Sequence, residues 1–135
     1  NGGIGIALSS SSNNNITIND ITNNDRDGIY LDNSSSNTIS YNNILHNIVP
    51  GITLGNSCNK NTISNNIISK NTQAGILLRE LCNNNKIYRN TLSYNGLNGI
   101  AIEDSCKYNI IKENNIINNK QLCKKKYVQG IPRFF

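Results

Sequence analysis

The chain has 135 residues, enough for one ordinary domain and too few for two. It holds 29 Asn and 22 Ile with no Met or Trp, which excludes an aromatic-rich core, and no run approaches the ~18 apolar residues of a membrane span. Residues 1–119 carry eight Lys/Arg and eight Asp/Glu, so the net charge of +5 comes from Lys120, Lys124, Lys125, Lys126 and Arg133, and a basic nucleic-acid-binding face is excluded for the body.

The predicted elements recur in chain order. An extended tetrad, Gly5-Ile6-Ala7-Leu8, is followed by short segments centred on Ile16 and Ile21. The tetrad returns at Gly28-Ile29-Tyr30-Leu31, Gly51-Ile52-Thr53-Leu54, Gly75-Ile76-Leu77-Leu78 and Gly99-Ile100-Ala101-Ile102, at spacings of 23, 23, 24 and 24. The second segment returns at Ile39, Ile63, Ile87 and Ile111, and the third at Ile44, Ile68, Leu92 and Ile116. Each is a few residues of strand alternation bounded by Asn, Ser or Gly, with no helical stripe. A repeat with a period in the twenties marks a solenoid rather than a disordered Asn-rich tract. A leucine-rich repeat would use mainly Leu and one helical or 3₁₀ return per turn. Three extended segments per turn instead predict an all-β parallel β-helix of about five coils over residues 1–119. Residues 120–135 break the period and are expected to form a basic tail or a cap.

Asn columns interleave with the apolar ones. One runs Asn19, Asn42, Asn66, Asn90, Asn114; another Asn24, Asn47, Asn71, Asn95, Asn119; a third Asn14, Asn37, Asn61, Asn85, Asn109. They are expected to adopt the left-handed conformation at corners and to stack their amides as ladders. The tetrad Gly is expected either at φ > 0 or at a close backbone approach.

The pattern Gly-Ile-x-Leu-x-x-Ser-x-x-Asn-x-Ile-x-x-Asn-x-Ile-x-x-Asn, clearest at Gly28-Ile29-Tyr30-Leu31, Asn37-Thr38-Ile39, Asn42, Ile44 and Asn47, resembles the right-handed parallel β-helix repeats of NosD-type proteins. That group lies within a wider set of carbohydrate-binding proteins and sugar hydrolases. The resemblance covers roughly residues 2–119. It implies a right-handed coil and a periplasmic, cell-surface or extracellular location. It also implies a role among copper-enzyme maturation proteins, polysaccharide lyases, epimerases or surface proteins. Such chains begin with a signal peptide and a capping element. Neither is seen here, and Met is absent, so a piece of a longer chain with an uncapped first coil is expected.

Cys58, Cys82 and Cys106 each lie seven residues after their Gly, where Ser12 and Ser35 stand in the first two coils. A metal site, a disulfide and a column of small buried thiols were the three chemistries to weigh. A straight column suits neither tetrahedral zinc nor disulfide torsion, so buried thiols are expected. The enzyme hint is a pair of carboxylates. Glu80 and Asp104 fall on adjacent coils beside Arg79 and Glu103, and two carboxyls ~5 Å apart suit a retaining glycosidase; oxygen ligands could equally hold Ca²⁺. Cross-coil charge pairing at a solvated corner is the expected role. His46 shares a variable surface column with Asn23, Lys70, Tyr94 and Asn118. Asn15 and Asn33 head formal glycosylation sequons, Asn33 being the better placed.

The sequence therefore predicts a non-catalytic β-helix scaffold without a cofactor, associated with a polysaccharide or cell-surface glycan. The alternatives are a fragment of a polysaccharide-processing enzyme, in which Glu80, Asp104 and Arg79 are the site candidates, and a NosD-type copper-maturation protein.

Overall fold

The computed structural model describes residues 1–124. Expectations for the tail beyond Lys124, including a cap by Tyr127, Val128, Phe134 and Phe135, lie outside the described residues.

The described residues form sixteen strands in three parallel sheets. Sheet A stacks β1 (Ile6–Ser9), β4 (Ile29–Asp32), β7 (Ile52–Gly55), β10 (Ile76–Leu78), β13 (Asn98–Ile102) and β16 (Gln121–Lys124). Sheet B stacks β2 (Asn15–Thr17), β5 (Thr38–Ser40), β8 (Thr62–Ser64), β11 (Lys86–Tyr88) and β14 (Ile110–Lys112). Sheet C stacks β3 (Asp20–Thr22), β6 (Asn43–Leu45), β9 (Ile67–Ser69), β12 (Thr91–Ser93) and β15 (Asn115–Ile117). This is the parallel β-helix of about five turns that the periodicity predicts. β16 adds a strand to sheet A from residues expected in the tail: Cys123, which counting by 24 from Gly99 would place in the Gly column, pairs instead with Ile100, one position on.

In-register stacking places like residues on like. Ile29 pairs with Ile52, Ile39 with Ile63 and Ile44 with Ile68. Side chains alternate inward and outward, so one Ile or Leu per short strand suffices to fill the interior. Ile29, Ile39, Ile44, Ile63, Ile87 and Leu92 are fully buried.

The three Asn ladders form, and they act by hydrogen bonding. In all three columns the Oδ1 of one Asn accepts both the backbone N–H and the Nδ2–H of the Asn one coil earlier, at 2.7–3.1 Å. Nδ2 also donates to the carbonyl of an earlier coil: Asn66 to Ile39 at 2.9 Å and Asn90 to Ile63 at 3.0 Å.

The left-handed conformation expected of these Asn belongs instead to the residue before each. Asn13, Ile18 and Asn23 in the first coil, Ser36, Tyr41 and His46 in the second, and their equivalents through Asn118 have φ of 54–63°. The corner turns there so that the next amide can face along the stack. The tetrad glycines need space rather than φ > 0. A Cβ on Gly28 would lie 2.7 Å from the Gly51 carbonyl oxygen and 2.7 Å from Ile44 Cγ2, inside any real contact.

The change from 23 to 24 residues per coil also has a place. After β1 and β4 a single residue, Ser10 or Asn33, is left-handed; after β7 and β10 there are two, Asn56–Ser57 and Glu80–Leu81. The extra residue shifts the count from Gly by one. Cys58 therefore stacks on Ser34, whose N–H donates to its Sγ at 3.3 Å, rather than on Ser35. Ser35 and Ser12 form a neighbouring ladder of their own.

Two outcomes test this account. Ile18 is β-branched, left-handed and 82% exposed, so Ile18→Asn removes strain without losing burial. Urea unfolding is expected to show a gain of about 1 kcal/mol, with Ile18→Val unchanged. Asn66→Asp keeps shape but deletes both Nδ2 donations and buries a charge. A loss of about 3–5 kcal/mol is expected by the same measurement.

Candidate functional site

The Glu80–Asp104 corner follows strands β10 and β13 at one edge of sheet A. Register puts Asp32 beside Gly55, and the Arg79 and Glu103 N–H groups bond to Leu54 and Leu78 one coil earlier. Asp32, Gly55, Arg79 and Glu103 thus form one column; Glu80 follows it as a left-handed residue, whereas Asp104 lies in a turn closed by the Cys106 N–H on the Glu103 carbonyl at 2.9 Å. The internal pairing differs from the Arg79–Glu103 bridge expected. Arg79 Nε lies 3.8 Å from Glu80 Oε2, while a Glu103 carboxylate oxygen accepts the Glu80 N–H at 3.3 Å. On the earlier coil Asp32 accepts from Asn56 Nδ2. The acids brace left-handed residues: Asn56 and Glu80 both have positive φ.

Tyr30 belongs to this corner as well, and it was not singled out from sequence in that role. Its hydroxyl accepts from Arg79 Nη2 at 3.4 Å, and the guanidinium carbon lies 6.0 Å from its ring centroid. The two residues are separated by a whole coil. Gly55 makes the contact possible, since a Cβ there would meet the Tyr30 hydroxyl at 3.2 Å and Arg79 Nε at 3.5 Å. The signal in the sequence was that small residue, in a column where Asp32, Arg79 and Glu103 carry charge. Tyr30 chiefly, with help from Glu80 and Glu103, holds the Arg79 pKa above its usual value. Arg79 Nε is buried without a hydrogen-bond partner, its ion pair being too long for one.

The cysteine column is a buried hydrogen-bonded chain. Cys58 N–H donates to Cys82 Sγ at 3.2 Å, Cys82 N–H to Cys106 Sγ at 3.3 Å, and Cys58 Sγ–H to the Gly55 carbonyl at 3.0 Å. All three are fully buried free thiols. Hydrogen bonding to Cys82 lowers the Cys106 pKa to about 7, while Cys82, between two other thiols and buried, is pushed upward. Thiolate formation at Cys106 would still have to occur out of reach of solvent. Among the described residues no group of three His, Cys, Asp or Glu is placed to hold a metal ion. His46 is exposed and left-handed at a corner, and Asn33 is exposed while its sequon partner Ser35 accepts from the Asn59 N–H.

The family model described as "Right handed beta helix region" matches residues 1–92 and 57–131. The chain belongs to the right-handed β-helix family. Among curated proteins none matches it. Of solved structures, the periplasmic alginate epimerase AlgG, in its unsubstituted form and in single and double variants, is similar to it with a TM-score of 0.74 and 26% identity. The alignment covers 96% of this chain and 36% of that enzyme, so the chain spans about a third of its length. Among the described residues no helix is long and apolar enough to cross a membrane.

For a β-helix chain with a thiol column inside the coil, labelling of Cys58, Cys82 and Cys106 is expected to wait for unfolding. A thiol reagent in native buffer should react with none of the three within the time that labels them fully in urea. Rapid native labelling would contradict the buried column.

Proposed function

We propose that this chain is a non-catalytic segment of a periplasmic, cell-surface or extracellular protein, a rigid β-helix associated with a polysaccharide. The observation that carries this reading is how the corner uses its charges. Glu103 caps the Glu80 N–H, Glu80 faces Arg79, Asp32 accepts from Asn56, and Arg79 reaches back to Tyr30. These groups join four successive coils, and exposed pairs used this way contribute modestly to stability. The likeness to an alginate epimerase supports the association with a glycan.

A second reading has a specific observation behind it. Glu80 and Asp104 share an exposed edge with Arg79, whose Nε has no hydrogen-bond partner. In a polysaccharide-processing enzyme one carboxyl would act as acid and the other as base, with Arg79 facing a substrate oxygen. A copper-maturation role has less support, because the chain has no Met and the soft ligands whose side chains are described lie in the buried thiol column.

The test is product release from uronate-containing and neutral glycans, with retention of the chain on the same glycans in affinity electrophoresis. Retention without product is expected, and Glu80→Gln should change neither. Turnover that disappears in Glu80→Gln would install the enzyme reading. No retention on any glycan would remove the association itself.

A further inference from the structure

The outward face of sheet B changes character along the stack. One outward column runs Asn15, Thr38, Thr62, Lys86, Ile110; the other runs Thr17, Ser40, Ser64, Tyr88, Lys112. The first three coils present short polar side chains. At β11 and β14 longer ones rise from the sheet, and with the corner residues Arg89 and Glu113 they line a groove of about 400 Å³. That volume lies within the range of small-molecule sites.

The groove combines two chemistries. Tyr88, half-buried, and Ile110, 39% exposed, give it an apolar, partly aromatic wall. Lys112 Nζ lies 6.0 Å from the Tyr88 ring centroid. Arg89 is held by Glu113 at 2.8 Å, which fixes that corner and neutralises it. Lys86 and Lys112 have no acid partner among the described residues. Three cations against one acid leave two uncompensated positive charges here, in a body whose charges sum to zero. The Glu80 corner is the reverse, with Arg79 against Asp32, Glu80, Glu103 and Asp104.

We infer that this groove on β11 and β14 is a subsite for an acidic sugar, a uronate unit of a polysaccharide. The inference rests on the glycan association proposed above. A uronate ring offers an apolar C–H face for Tyr88 and Ile110, and a carboxylate for Lys86 and Lys112. A neutral sugar satisfies only the first, and an inorganic anion only the second. In register, Lys86 lies beside Ile110 and Tyr88 beside Lys112, so the two lysines stand on one diagonal of the groove and the two apolar side chains on the other. Because the first three coils lack such side chains, the site is confined to this end of the sheet.

The test uses the whole chain and an oligouronate probe in isothermal titration, with its carboxyl-reduced neutral counterpart, inorganic sulfate and a single-stranded oligonucleotide as comparisons. The oligouronate is expected to bind, weakening with salt, and each comparison to bind at least about tenfold more weakly, the loss of one charge-assisted contact. Tyr88→Ala and Lys112→Gln are each expected to weaken oligouronate binding about tenfold. Tyr88→Phe and Lys112→Arg should retain it, and Lys70→Gln, at an exposed corner away from the groove, should leave it unchanged. Equal binding of sulfate or oligonucleotide would reduce the groove to a nonspecific cationic patch and overturn the inference. So would oligouronate binding that ignores Tyr88 and Lys112, or none at all. Retention of the chain on neutral glycans alone would overturn this subsite while leaving the glycan association standing.

Discussion

Every polar and apolar feature of this chain depends on one interaction: the Asn side chain that bridges successive coils at each corner. A sharp corner turns the backbone out of the sheet and strands the amide that follows it. In each ladder the next Asn supplies Oδ1 to that amide and to the Nδ2 beside it, while its own Nδ2 reaches back to an earlier carbonyl. A buried unsatisfied amide costs about 1–3 kcal/mol. The ladders meet that cost at three corners per coil. The Ile columns supply the burial, but apolar packing alone would tolerate sliding, whereas an amide ladder fixes both the spacing and the registry of the coils.

Nearest-neighbour stacking also sets where the molecule is firm. Interior columns are sealed in the middle coils and less so at the first and last ladders, where Ile16 and Ile116 are both 7% exposed. Solenoids of this kind lose structure from their ends. Inward positions cannot vary without disturbing two neighbours. Outward positions carry no such constraint, which is why chemistry can differ from coil to coil on one sheet, as Ser64, Tyr88 and Lys112 do.

The period, the three strands and the Asn and Ile columns were legible because each repeats in identity. The left-handed residues were not. Asn is the commonest residue at their positions, but Ile, Tyr, His, Lys, Arg and Glu stand there too, so residue type alone does not mark them, and the corner imposes the backbone on whatever side chain is there. The Cys column was found but its Ser partners were misplaced by one, because counting from Gly cannot reveal that the extra residue lies between Gly55 and Cys58. At the candidate site the column of Arg79 and Glu103 was readable from spacing. The link from Arg79 to Tyr30 was not, since it passes over Gly55 across a whole coil. Tyr88 and Lys112 occupy one column, a relation available from the period once outward positions are stacked as the inward ones are.

Net charge misleads for a solenoid. A neutral total over residues 1–119 conceals an acid-rich corner on sheet A and a cationic groove on sheet B, because an even tally says nothing about faces. Screening confines each field to about 10 Å at ordinary salt, so a ligand on one face senses little of the other. A polyanionic chain would be repelled by Asp32, Glu80, Glu103 and Asp104 and attracted at Lys86 and Lys112. A bound polyuronate would therefore align along sheet B rather than over the carboxylate corner. The corner's acids are then free to serve the coil itself, joining left-handed residues whose backbone the extra residue per turn has opened.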